Sequence, residues 1–182
     1  PASRQWHLCI AYPHLKDAYW LNVNFGMVQA AKRLGVSFTL VEAGGYPNLE
    51  RQQQQIELCT ADRADALIVG PVSFRGLNEM IFEISKKMPV LATVNDIDNL
   101  GITAKSGVSW VTMGHSAGEF LAKRHPSGST PVKVAWFPGP KGAGWVGFIE
   151  SGFKKGLADS AVNVVVTKWG DTGKEIQRTL VQ

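Results

Sequence analysis

The chain has 182 residues, 45% of them hydrophobic and 19% charged, which suits one large or two small domains with a hydrophobic core. Its net charge of +4 comes from scattered Lys and Arg, which argues against a nucleic-acid interface, and no apolar run reaches the roughly 20 residues of a membrane span. The two cysteines and four histidines show no metal-ligand spacing, so neither a metal site nor a cofactor is predicted.

Apolar runs alternate with helical patterns through the first half of the chain. Strands are predicted at 7–11, 37–41, 66–69 and 89–94, and helices at 20–34, 49–59 and 77–87. Continuous apolar strands separated by helices are typical of βαβ units. We therefore expect an α/β fold with a parallel sheet flanked by helices.

The second half repeats this pattern after a break. A strand is predicted at 108–112, a helix at 116–124, a Pro-bracketed linker at 125–131, a strand at 132–137, a helix at 146–158, a strand at 162–167 and a helix from 173 onward. We expect an N-terminal lobe at 1–112, a crossover helix and linker at 113–131 and a partial C-terminal lobe at 132–182. The sequence stops inside a helical pattern, so we expect the second lobe to be truncated.

Aromatic and polar side chains follow several of these strands. Ligands of open parallel sheets bind beyond the carboxyl ends of the strands. The turn after the first strand has no glycine that would let the backbone approach a pyrophosphate, but it is rich in aromatic residues. Such an aromatic wall suits a methylated, ammonium-like solute through cation–π attraction. The candidate ligand-binding residues are Asp17, Tyr19, Trp20, Tyr46, Asn95, Asp96, Trp110 and Trp145.

One motif points to a different chemistry. The run Gly114-His115-Ser116-Ala117-Gly118 matches the G-x-S-x-G nucleophile elbow of serine hydrolases. A triad needs an acid and then a histidine downstream, and the sole downstream histidine is His125, at the end of the helix that Ser116 would begin. Ser116 is more simply a helix cap, with Glu119 completing a capping box. A serine esterase using Ser116 is a remote alternative, and no catalytic residue is predicted.

The order of strands and the glycine-rich turn after strand six resemble the type I periplasmic binding proteins and the related repressor cores. Four segments resemble, more narrowly, the trimethylamine N-oxide sensor proteins within that family. These segments are Tyr12-Pro13-His14-Leu15-Lys16-Asp17, Tyr19-Trp20-Leu21, Gly44-Gly45-Tyr46-Pro47 and Trp110-Val111-Thr112-Met113-Gly114.

The resemblance implies a periplasmic sensor rather than an enzyme. It would hold trimethylamine N-oxide between two lobes and present it to the periplasmic sensor domain of a membrane histidine kinase, which controls anaerobic respiration on that solute. Tyr19, Trp20, Tyr46 and Trp110 would form the aromatic wall, with Trp145 as a further member.

The N-oxide has a methylated positive end and a strongly accepting oxygen, which should meet a buried donor. An indole N–H, a tyrosine hydroxyl or the Asn95 amide can supply this donor, and the sequence does not choose among them. Asp17 and Asp96 either favour the cationic end of the solute or cap the helices that follow them.

Two other functions of the same fold remain open. A transport-type binding protein for a sugar or a quaternary amine would differ in its ligand or in its membrane partner, a permease instead of a kinase. A repressor core would carry a DNA-binding segment ahead of Trp6, and none is present in this sequence.

The two cysteines come near one another in the topology that the resemblance implies. In a sheet of order 2-1-3-4-5, the helix after strand two crosses strand one, which brings Cys59 towards Cys9. A disulfide and a pair of buried thiols are both compatible with this placement. A Cα separation beyond about 7 Å would exclude the bridge.

Overall fold

The computed structural model describes residues 2–182 and follows the predicted alternation of strands and helices. The chain divides into two units, the first ending at Gly107 and the second running Val108–Gln182. Within the described residues, no helix is both long enough and apolar enough to cross a membrane.

The first unit is built on one parallel sheet. Its strands are β1 (His7–Tyr12), β2 (Ser37–Glu42), β3 (Ala66–Val69), β4 (Val90–Thr93) and β5 (Ala104–Ser106), connected by α1 (Ala18–Leu34), α2 (Leu49–Ala61) and α3 (Asn78–Ser85). The order of the sheet is β2-β1-β3-β4-β5, and all four strand pairs are parallel. The predicted α/β fold and strand order are confirmed.

The residues of β1 alternate between two buried clusters, as side chains on a strand must. Cys9 and Ala11 belong to a cluster that includes Ile56 of α2, whereas Ile10 and Tyr12 belong to one that includes Trp20 of α1. The interior strand β1 therefore has a hydrophobic layer on each of its faces, which explains why its sequence is a continuous apolar run.

A disulfide joins strand β1 to the helix that covers it. Cys9 of β1 and Cys59 of α2 are bonded, with their Cα atoms 5.7 Å apart. This separation lies well inside the limit for a bridge. Of the two alternatives that the sequence left open, the structure contains the disulfide.

The structure differs from the sequence prediction around Trp110. Residues 108–112 were predicted as a strand, but α4 (Trp110–Arg124) begins there, and the fifth strand is the short β5 before it. The physical reason is the cap: the side chain of Ser109 accepts a hydrogen bond from the Thr112 backbone N–H at 3.2 Å. The prediction that Ser116 caps this helix was wrong, because Ser116 lies in its middle.

The second unit contains β6 (Val132–Trp136), α5 (Gly144–Gly156), β7 (Val162–Thr167) and α6 (Lys174–Val181) after α4. Strands β6 and β7 pair in parallel. Helix α4, which we expected to form a crossover between lobes, lies in this unit and packs against α5.

Helices α4 and α5 meet through four glycines, which we call the glycine seam: Gly114, Gly118, Gly152 and Gly156. A Cβ atom at Gly114 would lie 2.0 Å from the Ile149 carbonyl oxygen, and one at Gly152 would lie 2.0 Å from that of Val111. Side chains larger than hydrogen are thus excluded from the seam. The glycines of the G-x-S-x-G match serve helix packing, and the exposed Ser116 lies within a helix instead of at a strand-to-helix elbow.

Candidate functional site

Four rings meet at the carboxyl end of β1 and form what we call the aromatic cluster: Tyr12, His14, Trp20 and Tyr46. The centroid of the His14 ring lies 5.7 Å from that of Tyr46 and 6.4 Å from that of Trp20, both edge to face. Trp20 also lies 5.0 Å from Tyr12. Trp20 and Tyr46 are only 2% and 8% exposed. The predicted site residues Trp20 and Tyr46 therefore belong to one buried cluster, linked by a histidine.

The position of Trp20 follows from how α1 begins. Asp17 caps the helix, and its carboxylate accepts a hydrogen bond from the Trp20 backbone N–H at 3.0 Å. The indole then lies directly on the backbone of Gly70 at the end of β3, where an added Cβ would be 2.4 Å from the ring. Gly70 is required here because any larger residue would displace the indole.

Tyr46 is held by a buried amide. The Asn95 side-chain nitrogen donates to the Tyr46 hydroxyl at 2.9 Å and to the Pro71 carbonyl at 2.9 Å, and the Tyr46 hydroxyl lies 3.2 Å from the Asn95 amide oxygen. Both amide protons of Asn95 are engaged within the protein. Asn95 thus orients Tyr46 in this structure and has no amide proton left for a ligand oxygen.

The backbone beside Asn95 is strained. Val94 has a φ of +66°, which is unusual for a β-branched residue, and the Asn95 N–H donates to the Thr93 carbonyl at 2.8 Å across it. Such strain costs about 1–3 kcal/mol and tends to occur where function requires a particular geometry. Here the strained residue directly precedes Asn95, whose amide donates to the Tyr46 hydroxyl.

The two candidate carboxylates have different surroundings. Asp17 caps α1, and its second oxygen lies 3.7 Å from the His14 Nε2 atom, so it remains at the edge of the aromatic cluster. Asp96 accepts a hydrogen bond from the Lys105 ammonium at 2.9 Å and from the Ile97 backbone N–H at 3.1 Å. It caps no helix, and its charge is already paired.

The three other predicted aromatic residues lie outside the buried cluster, one at its edge and two in the second unit. Tyr19 is 47% exposed, and its ring is 6.3 Å from Trp20, so it extends the aromatic cluster towards the surface. Trp110 and Trp145 belong to the second unit, where their rings pair at 5.5 Å. Trp110 opens α4 and Trp145 lies in the first turn of α5, so the two indoles pair at the N-terminal ends of their helices.

Sequence reasoning missed two members of the aromatic cluster, Tyr12 and His14. Tyr12 is the last residue of β1, and its hydroxyl is buried without a hydrogen-bond partner in the described structure. Burial raises its pKa from 10.0 to about 12. His14 lies two residues further along the chain and is also buried. No group of three or more potential metal-ligating side chains occurs in the described part of the chain. Their position at and just beyond the end of β1 is the signal that could have found them.

The chain matches one protein family along nearly its whole length. Residues 5–182 match the family described as periplasmic binding proteins and sugar binding domain of the LacI family. The chain is 39% identical over 183 aligned residues to the periplasmic protein TorT of Escherichia coli K12. That alignment covers all of this chain and 52% of the relative, so the chain spans about half the length of the curated relatives it matches.

Solved structures extend the comparison. The chain is similar to an ABC transporter solute binding protein from Bradyrhizobium sp. BTAi1 with bound bis-tris, at 52% identity and a TM-score of 0.75, covering 99% of this chain and 54% of that one. It is also similar to a complex of the TorS sensor domain with TorT in the presence of TMAO, at 40% identity and a TM-score of 0.82. That match covers 98% of this chain and 60% of the other.

Proposed function

Because the chain belongs to the family of periplasmic binding proteins and LacI-type sugar-binding domains, we propose that the intact protein binds trimethylamine N-oxide in the periplasm. It presents the bound solute to the periplasmic sensor domain of a TorS-like histidine kinase and so controls anaerobic respiration on trimethylamine N-oxide. The protein acts as a binding sensor and not as an enzyme.

The observation that carries this proposal is the aromatic cluster. Trp20 lies in the first turn of α1 and Tyr46 in the connection between β2 and α2, yet both contact the His14 ring at one end of the sheet. Ring faces suit the three methyl groups of the N-oxide, and no hydrogen bond to its nitrogen is needed. The Asp17 carboxylate at the edge of the cluster favours the positive end of the dipole.

The relatives support the same ligand and partner. One relative, 40% identical to this chain, was solved with the TorS sensor domain in the presence of TMAO, and a second structure of that complex was solved without ligand. The segments with the aromatic cluster lie within the aligned part of the chain. Trp110 and Trp145 are proposed as further ligand-binding residues.

A second candidate function is transport of an amine. The Bradyrhizobium relative is more similar in sequence, is described as an ABC transporter solute binding protein and contains bis-tris. Bis-tris is a tertiary amine with several hydroxyl groups, so it shares with trimethylamine N-oxide a substituted nitrogen that aromatic rings can enclose. Under this candidate the intact protein would deliver its ligand to a permease, and the kinase would not bind.

Titration calorimetry on the intact protein tests both candidates. We expect a heat of binding on adding trimethylamine N-oxide, either to the protein alone or to its mixture with the kinase sensor domain. Trp20→Ala and Tyr46→Ala should each lower the affinity on the order of 10-fold or more. Trp6→Ala is the matched control, since Trp6 stacks on Arg4, outside the aromatic cluster.

Different outcomes separate the candidates. Binding of bis-tris or a quaternary amine, with no heat from trimethylamine N-oxide under either condition, would replace the sensor proposal with the transport one. Equal loss of affinity in Trp6→Ala would mean that the aromatic cluster is not the site.

A further inference from the structure

Gln52 differs from the other glutamines of α2. The run Gln52–Gln55 resembles the solvated face of a helix, but the side chain of Gln52 is 0% exposed. Burying a primary amide is unfavourable unless its donor and its acceptor find partners. The position therefore calls for a specific set of contacts.

Both ends of the Gln52 amide bind the turn that follows β3. The side-chain nitrogen donates to the Gly70 carbonyl at 3.0 Å, and the side-chain oxygen accepts from the Val72 backbone N–H at 2.9 Å. One side chain thus satisfies two backbone groups on either side of Pro71. This fixes the turn relative to α2.

The same turn supports the aromatic cluster at two points. The Trp20 indole lies on the Gly70 backbone, and the Pro71 carbonyl accepts the Asn95 amide that orients Tyr46. A shift of the turn would therefore move the support of one ring and the hydrogen-bond partner of the other. Gln52 is the side chain of α2 that holds Gly70 and Val72 in register.

We propose that Gln52 is a positioning residue for ligand binding. It sets the position of the turn 70–72, and through that turn it sets the placement of Trp20 and Tyr46. This inference rests on the proposed function, in which these two rings contact the solute. Gln52 itself acts through the turn and not through contact with the ligand.

The test compares Gln52→Met with Gln53→Met in the intact protein. Gln53 lies on the same helix and donates a single hydrogen bond to the Gly76 carbonyl at 2.9 Å, outside the turn 70–72. We expect Gln52→Met to raise the Kd for trimethylamine N-oxide on the order of 10-fold, and Gln53→Met to change it by less than about 2-fold. The His14 ring-proton shifts in NMR, which depend on the neighbouring Tyr46 ring, should move only in Gln52→Met.

A third variant distinguishes positioning from loss of stability. In Gln52→Glu the protonated carboxyl can donate and accept as the amide does, and burial favours that neutral form. At low pH, the affinity and the His14 shifts of Gln52→Glu should be close to those of the wild type at the same pH. As pH rises and the carboxyl ionises, both should depart from the wild-type values measured at the same pH. Failure of this recovery would contradict the positioning role.

The experiment distinguishes an error in the proposed ligand from an error in the proposed role of Gln52. If the wild type does not bind trimethylamine N-oxide but Gln52→Met still moves the His14 shifts, the proposed ligand is wrong and the control of ring placement by Gln52 stands. If Gln52→Met lowers only the stability of the protein, with Kd and His14 shifts unchanged, the inference is overturned.

Discussion

Reducing the Cys9–Cys59 disulfide should destabilise the first unit strongly. The bridge closes a loop with a sequence separation of 50 residues. In the chain-entropy relation a loop of this length corresponds to about 4 kcal/mol at 25 °C, because the bridge restricts the unfolded chain. Both cysteines are buried between β1 and α2, so their thiols would remain in apolar surroundings after reduction. The loss of stability should therefore come mainly from the unfolded state.

Urea unfolding of the oxidised and the reduced protein measures this effect without changing the sequence. With a slope of about 1–3 kcal/mol per molar urea, the midpoint of the first unit should fall by roughly 1–4 M on reduction. The double variant Cys9→Ala/Cys59→Ala is the control, since a reductant should leave its midpoint unchanged. Midpoints of the oxidised and reduced wild type that agree within about 0.3 M would refute the loop-closure reasoning.

Two further predictions concern the glycine seam and the buried tyrosine. Gly152→Ala should destabilise the second unit by about 1–3 kcal/mol, because its methyl group would overlap the Val111 carbonyl, whereas Gly147→Ala on the same helix meets nothing within 4 Å and should be neutral or stabilising. Equal urea midpoints for the two variants would contradict the close helix contact. Tyr12→Phe should be at least as stable as the wild type at neutral pH. Since the folded-state pKa of Tyr12 is raised to about 12, the wild type should lose stability relative to Tyr12→Phe as pH rises above 10, by at most about 1.4 kcal/mol per pH unit. Parallel stability curves of the two proteins from pH 9 to 12 would show that burial does not raise the pKa of Tyr12.

Much of the fold was predictable because the interior strands of its first sheet are largely buried. The runs that became β1 and β3 are continuously apolar, and this pattern alone indicates a parallel sheet. The short strand β5 has the sequence Ala104-Lys105-Ser106, all exposed, and carries no such pattern. It exists because it pairs with β4, and a tertiary pairing of that kind leaves no periodic signal in the sequence.

The candidate site was predictable only in part. Trp20, Tyr46 and Asn95 follow strand ends, and topology alone brings such positions together. The role of Gln52 could not be predicted, because its neighbours in sequence are also glutamines and its distinction is the side of α2 on which it lies. Trp110 was assigned to a strand, because Val108 and Val111 on either side of it are β-branched.

The glycine seam also sets the spacing of the two helices that carry the indoles of the second unit. Trp110 lies one turn before Gly114 on α4, and Trp145 lies two turns before Gly152 on α5. Because backbone meets backbone at the seam, the spacing of the two helix axes has a lower limit that side-chain repacking does not change. The glycines, which have no Cβ atom, allow this close approach of the helices, and the 5.5 Å distance between the indole rings depends on it.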